Sequence, residues 1–533
     1  MADTVREIER KYEADDDTQL PDLAGTDRVA TVVEQGVEVL DALYYDTADQ
    51  RLAADGITLR RRTGGKDAGW HLKLPVAPGV RDEVRAPLSD TPPAELTALV
   101  RSRVLDQELL PLVRLRTRRT VRLLQDAAGA PLAEVAEDTV RARRAGEAEE
   151  AGEAGESGEG PAEARWREIE VELIEDGGGD AELLDEIGRA LATAGVRPAS
   201  SASKLARALA ETGLERARPG KGRTKGSGKG AGKGAGKAER TAGDVVLRYV
   251  REQVRVIIEL DPAVRRDLPD SVHQMRVATR RLRSAFRSYT KVLDRAVTEP
   301  IGIELKWLAA ELGVDRDREV LTERLRAGLA ELPRTLRLGP VAARLRIWSE
   351  RRRAGSRGRL LAVLDGPRYL SLLKTLHALL EAPPLRKAAT RPAPETVAQA
   401  VLKDYRRLAR RMEAALDTPA GQARDEALHG ARKAAKRTRY AAEAARPALG
   451  RPAKKFVRWT KRVQQLLGDH QDSVVARGAL RELATQAQQA GEGGFTFGLL
   501  YGREEARAAD RERELPGVWK KVSRRKNRAA LRP

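Results

Sequence analysis

Charged residues of both signs alternate with apolar ones along several short segments of the first 213 residues. In the first segment Glu7, Glu9 and Lys11 occupy every second position, so in a β-strand they share one face. The pattern recurs at Arg60 and Arg62, His71 and Lys73, Glu83 and Arg85, Arg116 and Arg118, Glu134 and Asp138, and Glu168, Glu170 and Glu172. Carboxylates hold hard divalent cations through oxygen, and basic groups bind phosphate. A cavity lined by both has the groups that metal-assisted triphosphate chemistry needs.

The elements that position these residues are predicted to be mostly strands. Period-2 alternation indicates strands at 5–12, 43–45, 56–62, 69–74, 82–88, 112–124, 133–141 and 166–174. Helical patterns lie around 22–35, 93–99, 181–194 and 203–212. About eight strands with few helices favour a closed antiparallel barrel.

The charged strand faces have two interpretations. An ordinary antiparallel sheet turns such a face to solvent. If helices instead cover the apolar face, the charged face lines the barrel interior, where the charges must pair or hold ligands.

The opening Glu7-Ile8-Glu9-Arg10-Lys11 matches the ExExK motif of CYTH domains, the triphosphate tunnel metalloenzymes. Later runs resemble that family in order and spacing: LYYDT (43–47), LRRR (59–62), WHLKLP (70–75), RDEVRAPL (81–88), LRTRRTVRL (115–123), AEVAEDTV (133–140), WREIEVEL (166–173) and SASKLARAL (201–209). The resemblance implies an eight-stranded tunnel that binds triphosphate-containing substrates with Mg²⁺ or Mn²⁺. Members hydrolyse inorganic triphosphate, nucleoside triphosphates or thiamine triphosphate, and some make cyclic AMP.

The resemblance also implies a role for each matching position. Glu7, Glu9, Glu170 and Glu172 resemble the metal ligands, and Lys11 with Glu134 and Asp138 the catalytic residues that act on the phosphate chain, a second metal or the attacking water. The expected triphosphate ligands are Arg60, Arg62, Lys73, Arg85, Arg116, Arg118 and Lys204. We therefore expect a divalent-metal-dependent hydrolase of inorganic triphosphate or short polyphosphate.

Residues 244–533 read as helical throughout and contain an internal repeat. His273 is followed by basic residues at offsets of 3, 7, 8 and 10, and His429 is followed by basic residues at the same offsets. Offsets 0, 3, 7 and 10 fall on one side of a helix, so each copy predicts a basic ridge. Such a ridge in one copy is most simply a solvated face, but its recurrence favours a bound polyanion, because stacked like charges destabilise a helix.

This half resembles the CHAD domain, a conserved-histidine α-helical domain often found after CYTH. Leu312-Gly313 and Leu467-Gly468 follow the two histidines at similar distances. The resemblance implies two pseudo-symmetric four-helix bundles, about 244–381 and 396–515, that bind inorganic polyphosphate. The implied ligands are His273, Arg276, Arg280, Arg283, Lys306, His429, Arg432, Lys436, Arg439 and Lys461.

Composition separates the two halves. The net charge of +20 is distributed as −15 over residues 1–213, +7 over 214–243 and +28 over 244–533. The Gly/Lys-rich stretch 214–243 is predicted to be a flexible linker, 145–165 a disordered acidic insertion, 382–395 a proline-rich divider and 516–533 a basic tail that is disordered over 520–532. With no cysteine and no long apolar run, we expect a reducing, cytoplasmic location, with polyphosphate granules as one possible site, and no membrane partner.

Two alternatives to the enzyme stay open. One is a non-catalytic polyphosphate-binding protein targeted to granules. The other is a nucleic-acid binder, which the positive charge permits. It is disfavoured because only 4% of residues are aromatic and no known DNA-binding motif is present.

Overall fold

The first unit of the chain is built on a closed antiparallel barrel. The structure, a computed structural model, describes residues 3–26, 28–146, 163–214, 241–353 and 355–531, and the chain separates into units Met1–Gly228 and Lys229–Pro533. The strands of the first unit are β1 (Asp3–Ala14), β2 (Thr31–Asp46), β3 (Thr58–Thr63), β4 (Gly69–Ala77), β5 (Val80–Ala86), β6 (Leu110–Gln125), β7 (Pro131–Arg144), β8 (Ala164–Leu173) and the short β9 (Arg197–Pro198). Its helices are α1 (Arg51–Ala54), α2 (Ala94–Val104), α3 (Ala181–Thr193) and α4 (Lys204–Glu211).

Strand β1 closes the barrel. The strand order is β5-β4-β3-β2-β6-β7-β8-β1, and β1 pairs with β5 as well. Residues 3–8 pair with β5, and residues 9–14 pair with β8. The predicted eight-stranded antiparallel barrel is therefore confirmed.

Helices cover the outer faces of most strands. Helix α3 packs on Tyr12, Val135 and Ile169, while α1 and α2 pack on β3, β4 and β5 around Trp70 and Leu72. Because the apolar residues of these strands point outward under helices, the charged residues alternating with them point inward. The second interpretation of the charged faces is thus the one the fold adopts.

The predicted helix at 22–35 is wrong. Residues 31–46 form β2, which pairs with β6 from Thr31 to Asp46, and the described residues of 22–30 contain no helix. Leu23 and Val29 are buried against the barrel. The run of valines at 29, 32 and 33 is compatible with either period, and the long β2–β6 pairing decides between them.

The second unit is helical. Its helices are α5 (Ala242–Arg265), α6 (Ser271–Ser288), α7 (Arg295–Glu311), α8 (Gly313–Ala330), α9 (Val341–Arg353), α10 (Ser356–Asp365), α11 (Pro367–Glu381), α12 (Ala393–Asp417), α13 (Gln422–Gln489), α14 (Phe495–Val522) and α15 (Arg525–Ala529), with 3₁₀ turns at Arg334–Leu336 and Lys387–Thr390. Helix α13 is interrupted at Gly450, whose φ of 59° permits the break. Helices α6 and the part of α13 before Gly450 carry the two copies of the sequence repeat. No helix among the described residues is long and apolar enough to cross a bilayer.

Two predicted segments lie largely outside the described residues, namely the acidic insertion (147–162) and the linker (215–240). Helix α5 begins at Ala242, before the predicted boundary at 244. Thr241 caps the helix, and its side chain and that of Asp244 each accept a hydrogen bond from the other residue's backbone N–H.

The tail predicted to be disordered is helical as far as it is described, through α14 and α15. Leu515, Trp519 and Val522 are buried at a helical spacing. Trp519 stacks on Tyr405 with ring centroids 6.0 Å apart. These apolar residues give the basic segment a packed face.

Candidate functional site

The barrel encloses a cavity of about 360 Å³ lined by charged side chains. Every second residue of each strand faces it, as the strand period requires. Its lining includes Glu7, Glu9, Lys11, Arg60, Arg62, Lys73, Arg81, Glu83, Arg85, Arg119, Glu134, Glu170, Glu172 and Lys204.

Adjoining strands place the carboxylates together. In the register of β1 with β8, Glu9 lies opposite Glu172 and Lys11 opposite Glu170, and in that of β7 with β8, Glu134 lies opposite Glu172. Opposite residues bring their Cβ atoms to about 5 Å. The Nζ atom of Lys73 lies 2.6 Å from Glu7. The Nζ atom of Lys11 lies 3.0 Å from Glu9 and also pairs with Glu170.

Glu172 is the least compensated carboxyl of this group. Burial raises its pKa to about 7, and the nearby charges of Glu7, Glu9 and Glu170 add to the rise. Burial also raises the pKa of Glu7, with contributions from Glu83 and Glu9. Burial would raise the pKa of Glu9 as well, but Lys11, Lys73 and Arg81 together more than offset it and the pKa is lowered.

Lys204 connects helix α4 to the carboxylates at the deep end of the cavity. Ser203 caps α4, accepting a hydrogen bond from the Ala206 N–H, and Lys204 begins the first turn. Its Nζ atom lies 2.9 Å from Asp138, 2.7 Å from Glu168 and 2.6 Å from Glu170. Burial would lower the pKa of Lys204, but these three carboxylates raise it well above its usual value. Leu205 and Leu209 fill the barrel end beside it.

Glu83 organises the basic part of the lining. It is 1% exposed and lies 2.5 Å from Arg85, 3.6 Å from Arg60 and 3.6 Å from Lys73. The Nδ1 atom of His71 is 2.9 Å from its Oε1. Burial would raise the pKa of Glu83, but Lys73 and the other three groups hold it far below the usual range. Glu83 thus fixes four donors around one point.

The structure brings most of the predicted barrel residues into one lining, with three exceptions. Asp138 is buried behind the lining, where it pairs with Arg119 and Lys204. Arg116 and Arg118 are exposed on the outer face of β6, where Arg116 lies 3.4 Å from Asp41. The cavity is lined instead by Leu115, Thr117, Arg119 and Val121 of the same strand. The structure therefore does not bring these two predicted triphosphate ligands into the cavity. This stretch of β6 is exposed on its outer face, so its arginines alternate toward solvent.

Arg119 is the lining cation that the sequence assignment missed. Its guanidinium lies 2.7 Å from Asp138 and 2.5 Å from Glu170. Burial would lower its pKa, but Asp138 and Glu170 raise it well above the usual value. Adjacent Arg118 and Arg119 must point to opposite faces, and only the parity of Thr117 and Val121 identifies which one points inward. Glu83, Glu168 and His71 also belong to the site and were not assigned roles.

The acidic residues fit a hard divalent cation. Carboxylate oxygens of Glu7, Glu9, Glu170 and Glu172 are the donors that Mg²⁺ and Mn²⁺ prefer, and the raised pKa of Glu172 shows negative charge that local cations leave uncompensated. Oxygens of Asp138, Glu168 and Glu170 lie within 4.8 Å of one another. Lys204 already bridges this second group, so the first group fits a metal better.

In the helical unit, the two predicted basic ridges meet. Arg280 and Arg276 on α6 lie close enough to Lys436 on α13 to help lower its pKa, and Arg432 on α13 helps to lower the pKa of Arg280. Burial lowers the pKa of Lys436 to about 6, and Arg280, Arg432 and Arg276 contribute. We call these four cations the ridge crossing.

Among the side chains that the structure describes, acidic residues pair with the ridge crossing at its edges. Arg276 donates to both carboxylate oxygens of Asp317 at 2.6 and 2.8 Å, and Arg432 lies 3.8 Å from Asp472. Gly313 leaves room for Arg276, because a Cβ there would lie 2.7 Å from the guanidinium. Gly468 lies similarly under Arg432, at a looser 3.7 Å. The need to accommodate the Arg276 guanidinium explains why residue 313 is a glycine.

The remaining predicted polyphosphate ligands differ in position. His273 is exposed, and His429 is partly buried, with a pKa lowered by burial and by Lys433. Arg283 and Lys306 line a separate cavity beside the ridge crossing. Arg439 pairs with Glu443 at 2.9 Å. Lys461 is exposed, and no contact within the described part of the chain connects it to the ridges.

Comparison with known proteins matches both halves. A CYTH domain model matches residues 5–209 and a CHAD domain model residues 248–481. An uncharacterised protein of Mycobacterium tuberculosis, present in two strains, is 40% identical over 95% of this chain and 94% of its own length.

Two solved structures are also similar to this chain. PptA from Streptomyces chartreusis is 19% identical with a TM-score of 0.45, covering 52% of this chain and 99% of its own. The CHAD domain of the plant Ricinus communis is 26% identical with a TM-score of 0.42, covering 56% of this chain and 93% of its own.

The pKa of Glu172 predicts a pH-dependent stability in the metal-free protein. Because burial raises this pKa from its ordinary value to about 7, the contribution of Glu172 to stability is complete below the ordinary value and is lost as pH rises through 7. We expect E172Q to raise the melting temperature of the barrel unit at pH 8 in EDTA and to change it little at pH 5.

The control for this measurement is E108Q, which removes an exposed carboxylate of the same unit and is expected to leave the melting temperature unchanged at both pH values. Scanning calorimetry of the full-length variants measures the shift. Equal melting temperatures for E172Q and the wild type at pH 8 would contradict the assigned charge state.

Proposed function

We propose a function for each unit, on the premise that this chain belongs to the family of proteins that join a CYTH domain to a CHAD domain. The barrel hydrolyses inorganic triphosphate or short polyphosphate, assisted by Mg²⁺ or Mn²⁺. The helical unit binds inorganic polyphosphate.

The observation that carries the proposal for the barrel is the sorting of charges along one lining. Carboxylates with a raised pKa project from β1, β7 and β8, whereas Arg60, Arg62, Lys73 and Arg85 project from β3, β4 and β5. A chain of phosphates needs cationic donors along its length and acidic groups where a metal neutralises its charge. The pKa of Arg62 is lowered to about 10 by burial and by Arg60, so a bound anion would relieve a local excess of positive charge.

Residues in different parts of the lining have different proposed roles: metal binding, phosphate binding and proton acceptance. When bound at Glu7, Glu9 and Glu172, a divalent cation supplies charge neutralisation and lowers the pKa of its bound water. Lys73, Arg60 and Arg85, fixed by Glu83, hold and orient phosphate oxygens. Glu134 lies opposite Glu172, and burial raises its pKa, so it is suited to accept a proton from an attacking water.

The helical unit is proposed to bind polyphosphate at the ridge crossing. Four cations with few acidic partners meet there, and the lowered pKa of Lys436 reflects their mutual repulsion as well as burial. A linear polyanion that contacts both helices offsets this repulsion.

One observation favours a non-catalytic alternative, in which the whole chain binds polyphosphate, as at a granule, without turnover. Asp138, Glu168 and Glu170 are already neutralised by Lys204 and Arg119. Turnover decides between the two functions.

The first test is hydrolysis by the full chain. We expect phosphate release from inorganic triphosphate with Mn²⁺ or Mg²⁺, no release in EDTA, and a fall in kcat/KM of at least about 100-fold in E7Q/E9Q, because these carboxylates neutralise developing charge through the metal. E108Q serves as the control. A wild type that binds triphosphate without releasing phosphate would select the non-catalytic alternative.

A second test uses two neighbouring arginines of β6. Arg119 faces the cavity and Arg118 faces solvent, so R119A is expected to lower kcat/KM by about 100-fold and R118A by less than about twofold. Thermal melts of both variants separate loss of fold from loss of function. Equal activities for the two variants would refute the cavity as the reaction site.

Polyphosphate binding is expected to strengthen as pH falls from 8 to 6. Lys436, whose pKa is about 6 in the free protein, takes up a proton when a polyanion binds. Titration of the full chain at fixed salt measures this dependence, which K436M should reduce. The pKa of His429 is lowered by burial and by Lys433. The variant H429A therefore tests how much of the pH dependence of binding comes from His429.

DNA competing successfully with long-chain polyphosphate at the same salt concentration would contradict the assignment of the ligand. The salt must be fixed because all polyanion binding weakens as ionic strength rises.

A further inference from the structure

A cavity of about 430 Å³ lies between α6, α7, α12 and α13, next to the ridge crossing. Two of its basic residues are neutralised by ion pairs, Arg295 with Glu299 at 2.8 Å and Arg437 with Asp404 at 2.8 Å. Five further cations line it, namely Arg283, Arg287, Lys306, Lys403 and Arg407. Sequence comparison of the repeats assigns a role to Arg283 and Lys306 only.

None of these five cations forms an ion pair with a carboxylate in the part of the chain that the structure describes. Burial lowers the pKa of Arg283, and Arg287 and Arg280 contribute. Because Arg280 belongs to the ridge crossing, positive charge continues without a break from the crossing into this cavity. Arg407 and Arg287 also act on Arg437, whose pKa is lowered mainly by burial.

The equivalent position on the other side of the ridge crossing carries a carboxylate. Glu443 is the equivalent of Arg287 in the second copy of the repeat, because the two residues are as far apart in the sequence as His273 and His429. Glu443 pairs with Arg439 at 2.9 Å and with Arg281 at 3.4 Å. The pseudo-symmetric counterpart of the cavity therefore contains a carboxylate that neutralises the local arginines.

Helix α12, which lines the cavity, also carries more positive charge at these positions than α5, the helix at the equivalent place in the other copy. Counted from the first residues of α12 and α5, Glu252 and Val256 take the places of Lys403 and Arg407. Glu252 pairs with Arg255 at 2.9 Å. Three cations of the cavity are thus replaced by two acidic residues and one apolar residue on the opposite side.

We propose that the polyphosphate chain leaves the ridge crossing in one direction only, into the cavity beside α12, where Arg287, Lys403 and Arg407 bind it. This inference rests on the proposed polyphosphate binding by the helical unit. The internal repeat supplies two equivalent ridges, but the side chains around them make the groove one-sided. A linear anion gains contacts with unpaired cations on one side and meets carboxylates on the other.

The test compares two pairs of exposed cations in the full chain. K403A/R407A removes two positive charges from the cavity, and R248A/R251A removes two from α5, the helix at the equivalent place. We expect K403A/R407A to weaken binding of long-chain polyphosphate at least about tenfold. It should also reduce the slope of log affinity against log salt by about 1 to 2, because phosphate contacts are lost.

The matched control R248A/R251A is expected to change the affinity by less than twofold, and K403R/R407K is expected to retain binding. Equal losses in the two double-alanine variants, or no loss in K403A/R407A, would overturn the one-sided groove while leaving polyphosphate binding itself intact. A wild type that does not bind polyphosphate would refute the proposed function as well. Circular dichroism melts show whether all variants are folded.

Discussion

Charge buried in a protein must be compensated, and this requirement organises both halves of the chain. In the barrel, compensation is internal. Lys204 holds three carboxylates, Glu83 holds four cationic or imidazole donors, and Arg119 bridges β6 to β7 and β8. Removing one partner from such a buried pair costs about 3 to 5 kcal/mol, so the lining is a mutually dependent set. It is held in place by apolar residues that point outward beneath α1, α2 and α3.

The two units solve the same problem differently. The barrel carries a negative net charge over its sequence yet concentrates cations on β3, β4 and β5, so a triphosphate entering it must compete with Glu83 for the same donors. Within the described side chains, the ridge crossing has acidic partners in Asp317 and Asp472, both at its edges. Its cations repel one another in the absence of an anion. Under the proposed functions, the barrel is preorganised for one short anion, whereas the ridges are suited to a long polymer that is held by many weak contacts.

Sequence patterns predicted the barrel and the two ridges because period-2 and period-3.6 spacings determine which residues share a face. They left open whether the charged strand faces point to solvent or into the barrel. They failed where neighbouring elements, and not the spacing within one element, determine which face of a strand is buried or whether a segment is a helix or a strand. Arg118 and Arg119 are adjacent, and the placement of β6 in the barrel, with Thr117 and Val121 in the cavity lining, decides which one enters the cavity. The valines at 29, 32 and 33 suit helix or strand, and pairing with β6 decides. The basic composition of the tail does not reveal that Trp519 and Val522 are buried, and Trp519 stacks on Tyr405, more than 100 residues earlier in the sequence.

The internal repeat shows most clearly that residue spacing predicts which residues share a helix face but not how their charges are compensated. Matching offsets correctly placed both ridges, and the structure shows them meeting at Arg280 and Lys436. The same offset implied that Arg439 is equivalent to Arg283, and an offset that differs by one residue related Lys461 to Lys306. Arg439 is instead held by Glu443, at the position where the first copy has Arg287. A repeat preserves the backbone frame, but ligand binding depends on the net charge that each residue retains after its neighbours are counted. The copies therefore carry the same motif but differ in the charges around it. Under the proposed function, a polymer that lies across both ridges would meet unpaired cations on one side and a carboxylate on the other, a difference that the repeated motif does not predict.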